Sequence, residues 1–297
     1  MKTPIEYILG LDGGGTKTLA RLVAVKDNRH WQSVQGAASL TNDYRLAHKS
    51  VTDACAELLS MAGCEAPQVS AVFGVAGAGD SQVVKRFKAD LCMPFAQLDI
   101  VSDAKIALYG ANQGQPVAVV ALGTGSVGMR MSEDGHQHII GGWGFSIGDE
   151  GGGAKLGYLA VQKLLLELDW YGASKSRLGQ LLACRVGACR ETALQWLAQA
   201  KPGHYAPLAP EVFSLNGKCE VANDVLKTHM RMVEQLISRT RGDSALPLVL
   251  LGGLAGASQP LLSAQTKNTL IPAKGDALDG ACLLAWQSCP KPQRETI

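Results

Sequence analysis

The chain has 297 residues, of which 46% are hydrophobic and 18% are charged, and its formal net charge is +2. This composition favours a globular protein of two domains or one large one, and the small charge gives no reason to expect a nucleic acid or an acidic membrane as the main partner. No apolar signal region opens the chain and its apolar runs are only strand-length, so we expect a cytoplasmic protein.

The first predicted element is a β-hairpin with a glycine-rich tip. Apolar runs flank a turn that reads Asp12-Gly13-Gly14-Gly15-Thr16-Lys17-Thr18. Because glycine has no Cβ, the backbone N–H groups of such a tip can close around a phosphate, with the hydroxyls of Thr16 and Thr18 as further donors. Asp12 could hold a divalent cation, so the turn predicts a site for a nucleotide phosphate with its Mg²⁺. It is not a Walker P-loop, which places four residues between its glycines and continues into a helix.

The rest of the first half alternates between helical and strand patterns. A strand at 31–34 and the polar loop Thr41-Asn42 precede a helix that ends at Gly63. Further strands are predicted at 69–75 and 98–101, each followed by a helix. Asp103 stands at the carboxyl end of the second of these strands, where α/β sheets bind ligands. It could act as a general base toward a hydroxyl group, or it could merely cap the following helix.

The order of elements then begins again. Strands at 117–122, 127–131 and 137–140 are followed by a helix over 153–169, helical patterns over most of 176–241, a strand at 248–251, a helix near 259–264, a short strand at 270–271 and a last helix over 277–286. Two halves in the same order predict a duplicated α/β fold. We expect an N-terminal lobe of 1–114 and a C-terminal lobe of 115–297 around a nucleotide cleft, with the last helix able to pack back on the first lobe. The two hairpin tips would hold one polyphosphate from both sides.

The second hairpin tip, Gly123-Thr124-Gly125-Ser126-Val127-Gly128, formally matches a dinucleotide-binding pattern. That pattern requires a helix after the glycines, whereas a strand pattern follows here. We interpret Thr124, Gly125 and Ser126 as a second phosphate-binding turn. A purely structural hairpin turn is the alternative.

A glycine-rich stretch over 141–151 contains Trp143 and the acidic pair Asp149-Glu150. A sugar offers an apolar face and a polar rim, so an indole ring beside carboxylates is suited to binding one. Alternatively, Trp143 could be a packing anchor and Asp149 the N-cap of the helix that follows.

These motifs resemble, in the same order from Asp12 to about Ala285, the N-acetylglucosamine kinase and glucosamine kinase family, in the BadF/BadG-type branch of the actin-like, sugar kinase and Hsp70 superfamily. The resemblance rests on Asp12-Gly13-Gly14-Gly15-Thr16-Lys17-Thr18, Ser102-Asp103-Ala104, Gly141-Gly142-Trp143-Gly144 with Gly148-Asp149-Glu150-Gly151, Gly252-Gly253 and Gly275-Asp276-Ala277-Leu278-Asp279-Gly280-Ala281. It implies a duplicated actin-like ATPase (ribonuclease H-like) fold.

The resemblance also implies an activity, namely transfer of the γ-phosphoryl group of ATP, with Mg²⁺, to the 6-hydroxyl of N-acetyl-D-glucosamine, with glucosamine as the alternative acceptor. Asp103 would be the base, and Asn42, Trp143 and Asp149 would contact the sugar. Gly252 and Gly253 would form the adenosine motif, and a homodimer is implied through the C-terminal lobe.

Two other classes of function remain open. Dehydratase-activator ATPases resemble the chain at the phosphate motifs, but they bridge an iron–sulfur cluster with cysteines, and none of the eight cysteines here lies in a glycine-rich loop. A non-enzymatic scaffold would bind ATP without sugar-dependent turnover. The role of the helical insert at 173–217 is left open, and His136 with His138 is interpreted as part of a solvated hairpin turn.

Overall fold

The computed structural model describes residues 4–289 and divides the chain into two compact units. Unit 1 contains the residues up to Gln115 together with those from Ala273 onward, and unit 2 spans Pro116–Pro272. The last helix therefore belongs to unit 1, although it follows unit 2 in the chain.

The sheet of unit 1 joins an antiparallel hairpin to parallel strands. Its order is β3-β2-β1-β4-β5, where β1 pairs antiparallel with β2 and parallel with β4, and β4 pairs parallel with β5. The elements of this part are β1 (Tyr7–Gly13), β2 (Thr18–Ala24), β3 (His30–Gln35), α1 (Tyr44–Ala62), β4 (Val69–Val75), α2 (Ser81–Asp90), β5 (Gln97–Ser102) and α3 (Asp103–Ala111).

Both faces of this sheet are covered, which explains why its central strands are almost continuously apolar. Leu9 and Phe73 point into a core shared with α1 and α2. Ile8 and Val72 point to the opposite face, into a smaller core with Ile106 of α3.

The sheet of unit 2 repeats the same strand order, β8-β7-β6-β9, with β6 antiparallel to β7 and parallel to β9. A single parallel bridge between Leu248 and Leu270 lies beyond β9, as β5 lies beyond β4 in unit 1. The duplicated α/β fold is thus confirmed, while the strand predicted at 270–271 is reduced to this bridge. The elements are β6 (Val117–Leu122), β7 (Ser126–Met131), β8 (Gln137–Gly141), α4 (Gly153–Tyr171), α5 (Arg177–Val186), α6 (Arg190–Gln199), α7 (Pro202–Tyr205), α8 (Ala209–Ser214), α9 (Glu220–Arg241), β9 (Leu248–Leu251), α10 (Ala255–Ser258) and α11 (Ala264–Lys267).

The chain returns to unit 1 with α12 (Ala277–Gln287), which packs against β1 and α3. Small residues make this approach possible: a Cβ added at Gly10 would lie 2.5 Å from the Sγ of Cys282, and one added at Gly110 would overlap the carbonyl oxygen of Asp276. Within residues 4–289, none of the helices combines the length and apolar character needed to cross a bilayer.

Candidate active site

The carboxyl ends of the parallel strands bring Asp12 and Asp103 to the same edge of the first sheet. Gly13 is in register with Val75, and Val75 with Ser102. Asp12, the next-to-last residue of β1, therefore lies beside the end of β4, and Asp103 follows the end of β5. Sequence spacing predicted each strand end separately, and the parallel register is what joins them.

The Thr41-Asn42 loop is attached to the same edge by backbone hydrogen bonds. The amide of Ala76 donates to the carbonyl of Gly13 (2.8 Å), and the amide of Leu40 donates to the carbonyl of Ala76 (2.9 Å). Asn42 is exposed in this loop, so its amide group is free to meet a ligand near the first hairpin.

The tip of the first hairpin presents backbone and side chains to solvent. Gly15, Thr16 and Lys17 are exposed, and the amide of Gly14 donates to the carbonyl of Lys17 (3.0 Å). Thr18 differs from the expectation. It is fully buried, and its hydroxyl donates to the carbonyl of Gly36 (2.7 Å), so this hydroxyl is not available as a donor to a phosphate.

Asp103 is an exposed carboxylate at the start of α3, and the neighbouring serine takes the capping role. The Ser102 hydroxyl oxygen accepts a hydrogen bond from the amide of Lys105 (3.2 Å) and so caps α3. Within residues 4–289, the one hydrogen bond of the Asp103 carboxylate comes from the adjacent amide of Ala104 (2.9 Å). The alternative of Asp103 as the helix cap is therefore not supported.

Negative charge is concentrated around Asp12. Burial, and then the carboxylates of Asp103 and Asp276, raise the pKa of Asp12 to about 6, against the opposing effect of Lys17. Asp276 was not among the predicted site residues. It caps α12 by accepting the amide of Asp279 (2.8 Å), and its distance from Asp12 in the chain hid it from sequence reasoning.

The second hairpin tip in unit 2 is joined to the beginning of α4. The amide of Gly153 donates to the carbonyl of Gly123 (2.8 Å), and the amide of Ala154 donates to the carbonyl of Thr124 (2.9 Å). The side chain of Thr124 is exposed, as a phosphate contact requires. Ser126 differs from the expectation, because its buried hydroxyl donates to the carbonyl of Glu150 (2.7 Å) and is not available as a donor to a phosphate.

The glycine-rich stretch that follows presents its tryptophan to solvent. Trp143 is 78% exposed, which does not support its alternative role as a packing anchor. Phe145, which the sequence analysis did not single out, is the packed ring of this stretch and stacks on Tyr205 with a centroid distance of 5.6 Å. Asp149 has a left-handed backbone (φ 62°), and the N-cap of α4 is Gly152, so Asp149 is not the cap.

Gly252 and Gly253 follow β9 at the same sheet edge as the second hairpin tip. Gly252 has φ 91°, and the amide of Leu254 donates to the carbonyl of Leu122, the last residue of β6 (3.0 Å). Apart from its two chain neighbours, a Cβ added at Gly253 would meet no atom of the described residues within 4 Å, so this backbone is open to a flat ligand.

Metal-binding clusters are absent from the part of the chain that the structure describes: no group of three or more His, Cys, Asp or Glu side chains could hold an ion there. The eight cysteines are free thiols. His136 lies 3.9 Å from Asp134 on an exposed turn, in agreement with a solvated hairpin.

Comparison with known proteins extends these observations over almost the whole chain. The BadF/BadG/BcrA/BcrD ATPase family matches residues 9–285. The chain is 27% identical over 286 residues to the glucosamine kinase GspK of Vibrio cholerae, and the alignment covers 95% of this chain and 96% of that protein. It is 27% identical, over an alignment of 324 positions, to the N-acetyl-D-glucosamine kinase of Dictyostelium discoideum. That alignment covers 95% of this chain and 98% of the other protein.

A solved structure is also similar. The crystal structure of a protein from Chromobacterium violaceum, named provisionally as an N-acetylglucosamine kinase, shares 31% identity with this chain at a TM-score of 0.84, and the match covers 95% of this chain and 99% of the other.

Proposed function

This chain belongs to the BadF/BadG/BcrA/BcrD ATPase family, and on that premise we propose that it is an ATP-dependent kinase that phosphorylates N-acetyl-D-glucosamine at the 6-hydroxyl. The observation that carries the proposal is the sheet edge of unit 1, where the exposed carboxylate of Asp103 follows β5 and Asp12 is the next-to-last residue of β1. The glucosamine kinase and N-acetyl-D-glucosamine kinase that it resembles along 95% of its length support the same class of substrate.

Asp103 is assigned the role of general base. Phosphoryl transfer to an alcohol needs a carboxylate that orients the hydroxyl group and accepts its proton, while catalysis otherwise consists of positioning and charge stabilisation. Asp103 is exposed and is not occupied as a helix cap, so it can accept the proton of a sugar hydroxyl.

Asp12 is assigned to Mg²⁺. The cation usually takes one or two protein carboxylates and completes its shell with phosphate oxygens and water, so a site to which Asp12 contributes its carboxylate fits it. Burial, and then the carboxylates of Asp103 and Asp276, raise the pKa of Asp12 to about 6, and a bound cation would offset the cost of an ionised carboxylate there. When bound, the ion would neutralise charge on the phosphates.

The remaining residues divide between the two substrates. Backbone groups of 13–17 and 123–125, with the Thr16, Lys17 and Thr124 side chains, would hold phosphates, and Gly252-Gly253 would lie against the adenosine. Asn42, Trp143 and Asp149 would contact the sugar. Trp143 and Ile147 are 78% and 80% exposed on one loop, and such apolar surface suits the methyl group of an N-acetyl substituent better than a charged amine.

Glucosamine is the second candidate acceptor, because the Vibrio cholerae protein that is 27% identical to this chain over 286 residues is named a glucosamine kinase. The dehydratase-activator alternative is not favoured, since residues 12–18, 74–79, 123–128 and 141–152 contain no cysteine. A cytoplasmic location remains a prediction from the apolar pattern of the sequence, and a homodimer remains a prediction from the family resemblance.

The test is ADP release measured with N-acetylglucosamine, glucosamine, glucose and no sugar. We expect N-acetylglucosamine to support the highest kcat/KM, and Asp103→Asn to lower turnover by at least about 100-fold while both substrates still bind. Asp99→Asn, which changes an exposed carboxylate on β5, the strand before Asp103, is the matched control and should retain normal turnover. ADP release that is independent of any sugar, or near-normal turnover in Asp103→Asn, would contradict the assignment.

A further inference from the structure

The second hairpin tip and the turn before α4 form one packed piece within unit 2. Two backbone hydrogen bonds already join the start of α4 to this tip. In addition, the carboxylate of Asp149 lies against Gly125, because a Cβ added at Gly125 would be only 2.5 Å from the Oδ2 of Asp149. The backbone of Gly152 is equally close, because a Cβ placed there would lie 2.6 Å from the carbonyl carbon of Gly125. Residues 123–126 and 149–154 therefore pack directly against one another.

The turn that carries Asp149 has a demanding backbone. Asp149 (φ 62°) and Gly151 (φ 92°) both have left-handed conformations on either side of Glu150. A left-handed backbone is uncommon outside glycine, although aspartate adopts it more readily than most residues, so contacts around the turn help to hold Asp149 in it. One contact of this turn is the partly buried hydrogen bond that the Ser126 hydroxyl donates to the carbonyl of Glu150 (2.7 Å).

We propose that Ser126 is a positioning residue that couples nucleotide binding to sugar binding, by fastening the phosphate-binding turn at 123–126 to the turn that aims Asp149. This inference rests on the proposed function, which assigns phosphates to the first turn and the sugar to Asp149. A ligand that orders either turn orders the other through this bond, so the second ligand meets a site that is already formed. The coupling is reciprocal, since it is a property of the two binding equilibria.

The experiment measures the dissociation constant of AMP-PNP with Mg²⁺ by calorimetry, without sugar and with saturating N-acetylglucosamine. For the wild type we expect the sugar to tighten nucleotide binding by about tenfold, within the usual range of coupling between sites. Ser126→Ala should reduce this factor to below about threefold. Ser126→Thr, which keeps the hydroxyl, should retain it. Ser214→Ala removes a serine-to-carbonyl hydrogen bond of 2.8 Å on α8 of the same unit and should leave the factor unchanged.

A purely structural role for Ser126 gives a different result: Ser126→Ala would lower the melting temperature and weaken each ligand alone while the coupling factor stayed at its wild-type value. That result would overturn the proposal, as would a wild-type factor of one. Sugar-dependent ADP release in the wild type distinguishes failure of the coupling proposal from failure of the kinase assignment. A coupling factor of one with normal turnover rejects the coupling and leaves the kinase assignment intact. If no sugar supports turnover, both are rejected. If Ser126→Ala does not fold, Ser126→Cys, whose thiol is a weaker hydrogen-bond donor, takes its place, and we again expect a reduced coupling factor.

Discussion

Replacing Asp12 by asparagine should stabilise the protein in the absence of ligands while removing its kinase activity. The folded state raises the pKa of Asp12 from 3.8 to about 6, chiefly by burial and then through Asp103 and Asp276. At 1.36 kcal/mol per pKa unit, the ionised carboxylate would cost at most about 3 kcal/mol, which solvent screening of this half-buried group reduces to about 1–2 kcal/mol. Asparagine carries no charge and avoids this cost.

The sign of the pH dependence follows from the raised pKa. The folded state binds the proton more tightly than the unfolded state, so the wild type loses stability as the pH rises from about 4 to about 6, and the full cost remains above that range. The advantage of Asp12→Asn should therefore be close to zero below pH 4 and complete above pH 7.

Thermal unfolding without ligands, followed from pH 4 to pH 8, measures this difference. At pH 8 we expect the variant to melt about 3–6 °C above the wild type, with Asp99→Asn, an exposed carboxylate on β5, as the control that does not shift. Adding ADP and Mg²⁺ should stabilise the wild type more than the variant. A variant that is no more stable than the wild type at pH 8, or whose advantage persists at pH 4, would refute the reasoning.

Two further predictions concern the packing of each unit. His229 is fully buried on α9, and neither of its ring nitrogens has a hydrogen-bond partner within residues 4–289. Burial lowers its pKa to about 4, so the protein loses stability as the pH falls from 6.5 toward 4, by about 2 kcal/mol at pH 5 relative to pH 8. Urea unfolding of His229→Leu should lack this acid-dependent loss, while His138→Leu, at an exposed position, should keep it. Gly110→Ala should destabilise by about 1–3 kcal/mol, because its methyl group would overlap the carbonyl oxygen of Asp276. The methyl group of Gly256→Ala would meet no atom of the described residues within 4 Å outside its own helix and chain neighbours, so this variant should be neutral or slightly stabilising. Equal stabilities of the two alanine variants would contradict the close packing of α12.

Much of the fold follows from local patterns. The hairpin strands before and after the turns at 12–18 and 123–126, the buried strand at 69–75 and the long helix beginning at Gly153 all have the predicted type, because apolar periodicity and glycine-rich turns are properties of neighbouring residues. The repeated order of these elements also predicted the duplication. Helix ends were less accurate: α4 continues from the expected Asp169 to Tyr171, since the tertiary packing of its last turn is not encoded in local spacing.

The candidate site was predictable only as a set of separate residues. Spacing identified Asp12, Asp103 and Asp149, because glycine-rich turns and strand ends mark places where ligands can approach the backbone. Hydroxyl groups were less predictable. Thr18 and Ser126 are of the correct type for phosphate contacts, yet each hydroxyl donates to a carbonyl 18 or 24 residues away.

The sequence by itself determined the class of fold and the residue types available for phosphate and sugar binding, because these depend on short-range order, and the resemblance of its motifs indicated the family. Only the tertiary structure decided which of those groups remain free and which charges meet. Asp276 affects Asp12 across most of the chain length because α12 folds back onto β1 and α3, and such contacts depend on the packing of distant segments that no local pattern specifies.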